Sequence, residues 1–381
     1  MLNQTRTTET LHLIRCDIAD ETYGLDMSWV RSIQRTDRLR RHPGMDNPST
    51  GQFSIPANLH RPTGWLPGND GDIPVFSLAS RLGRSPLPPP PPEGGGSALQ
   101  RIIVLNPPLS PPQAEGREEE QPWGLLVDRV SQVIQISADH VVPLPSVVVN
   151  SRNYFKGVIK LDEELILFLS PERLHPDAPP SVSKPIEAGL ASAPKSPTAR
   201  ARGQRRSHGQ IVMFSITEPY LVERALSFGL SISQVLEILE PLPMTPVPAA
   251  PAFVLGLVNW RDRPVPVIDL ANRLGLAGLA RSNANGRTRL MIARDKDHVL
   301  PVRSSEGNAL KRGSNQGTLV GFLVRPEIRL LRLPIAHQPS SRPLTLDRVL
   351  TRGMVELEKE TLVIPDLRGI LLLEENPCPG K

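Results

Sequence analysis

The sequence predicts an all-β protein with a few short helices, laid out as two copies of one domain. Three observations carry that expectation. Apolar residues come in many short, often alternating runs bounded by Gly, Pro, Asn or Asp, the pattern of short strands. Proline is abundant, at 42 of 381 residues; it fixes φ and lacks an N–H, which disfavours long helices and central strands. The two halves of the chain also repeat each other, segment by segment. A hydrophobic content of 39% is enough for buried cores, and the length has room for two or three domains.

The repeat is read most directly from IPVFSLASRLG (Ile73 to Gly83) beside VPVIDLANRLG (Val265 to Gly275). RIIVLN from Arg101 answers RLMIAR from Arg289, both read as short strands, and GLLVDRVSQVIQI from Gly124 answers GFLVRPEIRLLRL from Gly321. GVIKLDEELILFL from Gly157 answers GMVELEKETLVIP from Gly353, and near each start TYGLDMSWVRSI answers SFGLSISQVLEI. The order is the same in both copies and the offset stays at roughly 200 residues, as a duplication requires.

Within each copy LHLIRCDI and QIVMFSI are expected as opening strands, while SWVRSI and SQVLEI could be short helices or strands, with Val and Ile favouring strand. LASRL and LANRL read as one or two helical turns stopped by Gly83 and Gly275. Ser77 and Asp269, directly before those turns, are suited to N-capping. LDEEL at Leu161 to Leu165 reads as a charged hairpin turn. Many short strands with strong turn signals point to closed barrels, which leave no open sheet edge.

The expected organisation is a polar tail at 1–9, a first domain at 10–175, a disordered linker at 176–208, a second domain at 209–373 and a tail at 374–381. Pro, Ala, Ser and Arg without hydrophobic period mark the linker. Two loop insertions, 37–62 and 85–121, enlarge the first copy; the second includes the run SPLPPPPPEGGGS, expected to be exposed and polyproline-like.

The net charge of +5 and pI near 9.5 raise nucleic-acid or membrane-surface binding. The basic residues are scattered, however, and the denser groups, Arg200 to Arg206 and Arg38, Arg40 and Arg41, fall in loop-like stretches. Aromatics are only 4%, which argues against a barrel that stacks bases. No nucleic acid is expected as a partner. MLNQTRTTET lacks the apolar core of a signal peptide, and no apolar run reaches the length of a membrane span. Cys16 and Cys378 stand far apart, with neither disulfide nor metal spacing. A cytoplasmic protein without membrane insertion is the expectation.

In the second copy, TPVPAAPAFVLGLVNWRDRPVPVIDLANRLG (Thr245 to Gly275) resembles the most recognisable segment of the CheW-like chemotaxis adaptor family, with its Asn-x-Arg-Gly edge and Pro-Val-x-Asp-Leu. SFGLSISQVLEIL is similar to the family's Gly-Leu/Ile…Val-x-Glu-Ile element. In the first copy ETYGLDMSWVRSI, RIIVL, WGLLVDRVSQVIQI and FKGVIKLDEELILFL carry the likeness. The resemblance implies two tandem domains, each of two small five-stranded β-barrels. It also implies a non-enzymatic scaffold that couples the cytoplasmic tip of a methyl-accepting chemoreceptor to the regulatory domain of a CheA-type histidine kinase. A pilus-motility or other chemosensory pathway, and a basic β-barrel nucleic-acid binder, are the alternatives.

A receptor-type groove is expected in the second copy at Glu237, Asn259, Trp260 and Arg261. A planar guanidinium at a strand end suits the carboxylates and carbonyls of a helical hairpin. Glu237, among apolar neighbours, can orient Arg261 or meet a partner, and Trp is enriched at binding hot spots. Glu237 and Asn259 also suit plain strand-end or turn-capping roles. The first copy departs here, with Ser32 in place of Glu and GWLPGNDGD in place of the Asn-x-Arg-Gly edge. The second departs with RPEIR after GFLV, where the family has Val-Asp. The copies are therefore not interchangeable.

No catalytic set emerges. The eight histidines (12, 42, 60, 140, 175, 208, 298, 337) lack metal-ligand spacing, and no G-x-S-x-G, Walker A or kinase segment is present. Neither cysteine has a local activator. A cryptic hydrolase and a regulatory piece of a histidine kinase are the weaker readings, and no cofactor is expected.

Overall fold

The structure is a computed structural model and describes residues 10–41, 61–68, 71–84, 100–106, 121–149, 154–175, 208–216, 225–276, 288–295, 317–334, 350–357 and 360–372. Both expected tails, the linker apart from its last residue and most of the two insertions lie outside the described residues. The chain divides into two compact units that follow the two copies, except that Pro145–Val149 and Thr245–Ala249 each group with the other unit.

The first copy contributes strands β1 (Thr10–Ile18), β2 (Glu21–Asp26), β3 (Val30–Arg35), β4 (Arg40–Arg41), β5 (Gly64–Gly68), β6 (Gly71–Ser77), β7 (Arg101–Leu105), β8 (Trp123–Val127), β9 (Arg129–Ser137), β10 (Val141–Val142), β11 (Phe155–Leu161) and β12 (Glu164–Leu169). Its short helices are α1 (Leu78–Arg81) and α2 (Pro171–Leu174). The second contributes β13 (His208–Phe214), β14 (Ala225–Ser231), β15 (Val235–Leu239), β16 (Met244–Thr245), β17 (Val254–Trp260) and β18 (Arg263–Ile268). Helix α3 (Leu270–Arg273) follows, then β19 (Arg289–Asp295), β20 (Thr318–Val324), β21 (Arg329–Pro334), β22 (Thr351–Glu356), β23 (Glu360–Pro365) and α4 (Leu367–Leu371).

These strands form two sheets per copy. In the first the orders are β10-β11-β12-β2-β1-β9 and β3-β7-β8-β6-β5-β4; in the second, β21-β13-β14-β23-β22 and β15-β19-β20-β18-β17-β16. Each sheet has five main strands, and three add a two-residue strand at one edge. In those three the chain passes from one edge of the sheet straight to the other. Arg35 ends one edge strand and Arg40 begins the opposite one, a step of at most about 18 Å. The edges of a flat six-stranded sheet would stand about 24 Å apart. Thr36–Arg38 is a 3₁₀ turn, which shortens the step further. The sheet must curl for the chain to make that step, which is the barrel closure the turn pattern anticipated.

The duplication is visible in the backbone. Each sheet holds one parallel pair at a matching place, β12–β2 and β14–β23 in one kind, β6–β8 and β18–β20 in the other. The same bulge interrupts β3 between Val30 and Ser32 and β15 between Val235 and Glu237. Ser77 Oγ accepts the Ser80 N–H at 3.2 Å, and Asp269 Oδ1 accepts the Asn272 N–H at 3.1 Å, so both expected N-caps form. Gly83 (φ +68°) and Gly275 (φ +72°) close the helices in the left-handed region. Arg84 N–H reaches Ala79 O at 2.8 Å and Leu276 N–H reaches Ala271 O at 2.9 Å, the bonds of a Schellman ending.

Three expectations need correction. The stretch 85–121 is not one loop, because Arg101–Leu105 within it is β7, whose Ile102, Ile103, Val104 and Leu105 are all buried. Similarly, the insertion counted from residue 37 begins with ordered backbone, the 3₁₀ turn and β4. A two-residue strand has no period to read, so it merged with the loop. SWVRSI is also split: Met27–Trp29 is a 3₁₀ turn capped by Asp26, and the strand starts at Val30.

Glycine is required where the closing strands dock. A Cβ on Gly157 would stand 2.6 Å from Val142 O, and one on Gly64 2.7 Å from Arg40 O. Both obstacles are backbone atoms of the two-residue strands, which cannot rotate away. Gly157→Ala is expected to cost about 2 kcal/mol by forcing the closing strand outward. Denaturant unfolding of the full chain measures it, and a loss below ~0.5 kcal/mol contradicts this account of closure.

Candidate protein-docking site

The second copy's barrel presents a hairpin tip built by β17 and β18. Trp260 lies opposite Arg263, so Arg261 and Asp262 alone make the turn. Their φ values are +49° and +60°, the two left-handed residues a tight type I′ hairpin demands. Non-glycine residues hold that conformation at a cost of about 1 kcal/mol each. The tip is therefore strained backbone that carries two charged side chains on its apex.

Trp260 anchors the tip. It is 9% exposed and packs with Val258, Val265, Val267, Leu290 and Ile292. A buried indole N–H requires an acceptor, and Trp260 Nε1 donates to Glu237 Oε2 at 2.9 Å. Arg261 donates to the same oxygen at 2.8 Å, and its guanidinium lies 4.8 Å from the Trp260 ring centroid. Glu237 reaches this position just after the β15 bulge, a device that re-aims side chains. One carboxylate oxygen thus ties a buried ring and an exposed cation together across 24 residues of sequence.

The Arg261 side chain is 69% exposed and that of Glu237 37%. An ion pair so open to solvent contributes ~0–1 kcal/mol to stability. Its consequence is geometric. The guanidinium has five N–H donors, one is given to Glu237, and the group is held over the indole while the side chain stays largely open to solvent.

Of the four residues expected at a groove, the structure joins Glu237, Trp260 and Arg261 by direct contacts. Asn259 is their chain neighbour, opposite Pro264, and strand alternation turns it to the other face from Trp260. The shared Glu237 oxygen was not foreseen. The need of a buried tryptophan for an acceptor was the available signal, but the partner is set by a bulge that no local pattern reveals. In the first copy Ser32 occupies the Glu237 place, and the equivalent hairpin runs from Gly68 to Gly71.

Other ionisable groups are structural. Tyr23 is buried and donates to Glu21 Oε2 at 2.5 Å, and Arg84 grips the same carboxylate from beyond α1. Burial, then the Glu21 hydrogen bond and charge, hold the Tyr23 hydroxyl well above its usual range. Among the described residues no group of His, Cys, Asp and Glu is arranged to hold a metal ion, and no helix is long and apolar enough to cross a membrane.

The CheW-like domain family model matches residues 65–178 and again 210–375. A probable chemotaxis protein CheW of Rhizobium etli is 45% identical over 143 residues, 38% of this chain and 79% of the relative. Chemotaxis protein CheW of Rhizobium meliloti is 45% identical over 49 residues, 13% of this chain and 32% of the relative. That of Helicobacter pylori is 33% identical over 72 residues, 19% of this chain and 42% of the relative. The chain thus spans less than half the length of the last two relatives. Among solved structures, the scaffolding protein TtCheW from Thermoanaerobacter tengcongensis matches at 22% identity and a TM-score of 0.31, over 45% of this chain and 90% of that one. Two matches in tandem, covering well over half of the residues and falling on the two halves of the internal repeat, show that the chain belongs to the CheW-like domain family and contains its domain twice.

Proposed function

We propose that the chain is a non-enzymatic scaffold of chemotaxis-type signalling, which couples a chemoreceptor's cytoplasmic tip to the regulatory domain of a CheA-type histidine kinase. Membership of the family supports the adaptor role, and its relatives bear the name chemotaxis protein CheW. The observation that carries the docking site is the Glu237–Trp260–Arg261 platform. A guanidinium pre-oriented on a buried ring loses little freedom when it meets a carboxylate or helix-end carbonyl. Glu237 then acts as a positioning group and Arg261 as the contact.

In this reading the second copy holds the receptor-type site, and the first, without an equivalent platform, offers barrel surfaces for kinase-type contacts. Arg261→Glu is expected to weaken association with a receptor-tip fragment by over ~1 kcal/mol, about fivefold or more, as a reversed interfacial charge does. Calorimetric titration of the full chain measures it. Unchanged affinity shows that the hairpin tip is not used.

A further inference from the structure

The first copy's β3 carries a surface of different character from its counterpart in the second copy. Its residues alternate between half-buried and exposed, placing Arg31, Ile33 and Arg35 together on the outer face. Ile33 is 43% exposed. The chain continues through the exposed Arg38 to Arg40, which lies directly opposite Trp65, itself 36% exposed. Side chains directly opposite on paired strands share a face. β3, the turn after it and β4 thus carry four exposed arginines beside two exposed large apolar side chains, with Asp37 the one acid in the stretch from Arg31 to Arg40. Among the described residues none of Arg31, Arg35, Arg38 and Arg40 forms an ion pair.

The second copy shows what this strand looks like when its charge is met from within. There Glu240 occupies the place of Arg35 and pairs with Arg289 on the adjacent strand. In the first copy Arg35 instead stands directly opposite Arg101. Like charges opposed across a strand pair are unfavourable, so the neighbour that serves Glu240 in the second copy gives Arg35 no ion pair in the first. Nothing in the fold requires this pair, since the duplicate folds with the opposite one.

We propose that the outer face of β3, with Arg40 and Trp65, docks an acidic protein segment whose carboxylates flank an apolar side chain. The dimensions set the ligand. Arg31 sits in the β3 bulge, so Arg31 and Arg35 are at most about 13 Å apart along the strand with Ile33 between them, within reach of an extended segment with carboxylates two residues to either side of an apolar residue. Arginine binds such carboxylates bidentately. The exposed Ile33 between the cations favours an acidic protein over a nucleic acid, whose phosphates offer nothing apolar at that spacing. This surface is separate from the hairpin tip of the second copy and does not depend on it.

The test is a titration of the full chain with a capped synthetic peptide built on two Glu-Thr-Leu-Thr-Glu repeats, read by calorimetry. Binding should weaken at least about tenfold in Arg35→Glu, which reproduces the Glu240–Arg289 arrangement and so keeps the fold. Ile33→Ser, which leaves every charge in place, should also weaken it, as should replacing the peptide's Glu with Gln. Arg332→Glu, the same charge change on another sheet, should leave binding as it was. Equal weakening by Arg35→Glu and Arg332→Glu would reduce the effect to net charge and overturn the proposal. Tighter binding of a single-stranded DNA oligonucleotide than of the peptide would overturn it as well.

Discussion

Arg273→Ala should cost the second copy about 3 kcal/mol of stability, although Arg273 is only partly buried and forms none of the ion pairs described above. Helix α4 ends at Leu371, and its last carbonyls have no partner within the helix. Arg273, in the last turn of α3, supplies them. Its Nε donates to Ile370 O at 3.1 Å, and one terminal nitrogen donates to Gly369 O at 3.1 Å and to Leu372 O at 2.5 Å. The guanidinium is also seated 4.5 Å from the Phe253 ring centroid. Two of the three acceptors belong to buried residues, Gly369 and Ile370, so water cannot fully replace the lost donors.

Each hydrogen bond from a charged group is worth about 1.5–3 kcal/mol, and leaving a buried acceptor unmet costs a similar amount. Allowing for partial rehydration of three acceptors gives the figure of about 3 kcal/mol. Arg273→Lys should recover only part of it, because a single ammonium cannot span three carbonyls in the plane of a guanidinium. Denaturant unfolding of the full chain measures both variants. A loss below ~1 kcal/mol for Arg273→Ala, or full recovery by Lys, contradicts the role. The matching arginine of the first copy, Arg81, is buried at 6% exposure and lies 4.5 Å from the Phe76 ring centroid.

Arg273 and Arg81 mark the boundary of what the sequence makes legible. Both were visible as the shared arginine of LASRLG and LANRLG, yet the role of Arg273 was not, because the carbonyls it serves lie almost a hundred residues away. Features encoded within a few residues were readable: the Ser77 and Asp269 caps, the Gly83 and Gly275 endings, the turn at Asp162, and strands with their own alternation such as β3. The two-residue closing strands β4, β10 and β16 were not, since their partners are chosen by register and by Gly64 and Gly157 rather than by composition. The docking platform falls between these cases. Arg261 and Trp260 stand out at a hairpin tip, but the shared hold of Glu237 on both depends on a bulge in another strand. The arginine stripe on β3 was legible only in part, because Arg38 and Arg40 read as loop and Arg31 and Arg35 as ordinary strand residues. Its meaning comes from the comparison with Glu240 in the duplicate.

Alkaline pH should unfold the first copy through Cys16, with a loss of about 3 kcal/mol by pH 11. Cys16 is completely buried on β1, and burial, followed by the negative charge of Asp17, pushes its thiol from 9.0 up to about 12. The folded state therefore keeps the proton over a range in which the unfolded chain releases it. Stability from this group is fully present below about pH 9 and is lost as pH rises toward 12, at ~1.4 kcal/mol per pH unit. Tyr23, raised mainly by burial, adds loss in the same direction above its ordinary range near pH 10. Unfolding free energies at pH 8 and pH 10 separate the two groups, because at pH 10 the thiol already contributes a loss of about 1 kcal/mol while that from the tyrosine is only beginning. Cys16→Ala, which has a lower baseline from the cavity it leaves, should show almost no change between those two pH values. An identical slope in the variant would place the alkaline sensitivity elsewhere. The same burial makes the thiol inert in the native state, so its alkylation should follow global opening of the first copy and not the exposure of any surface.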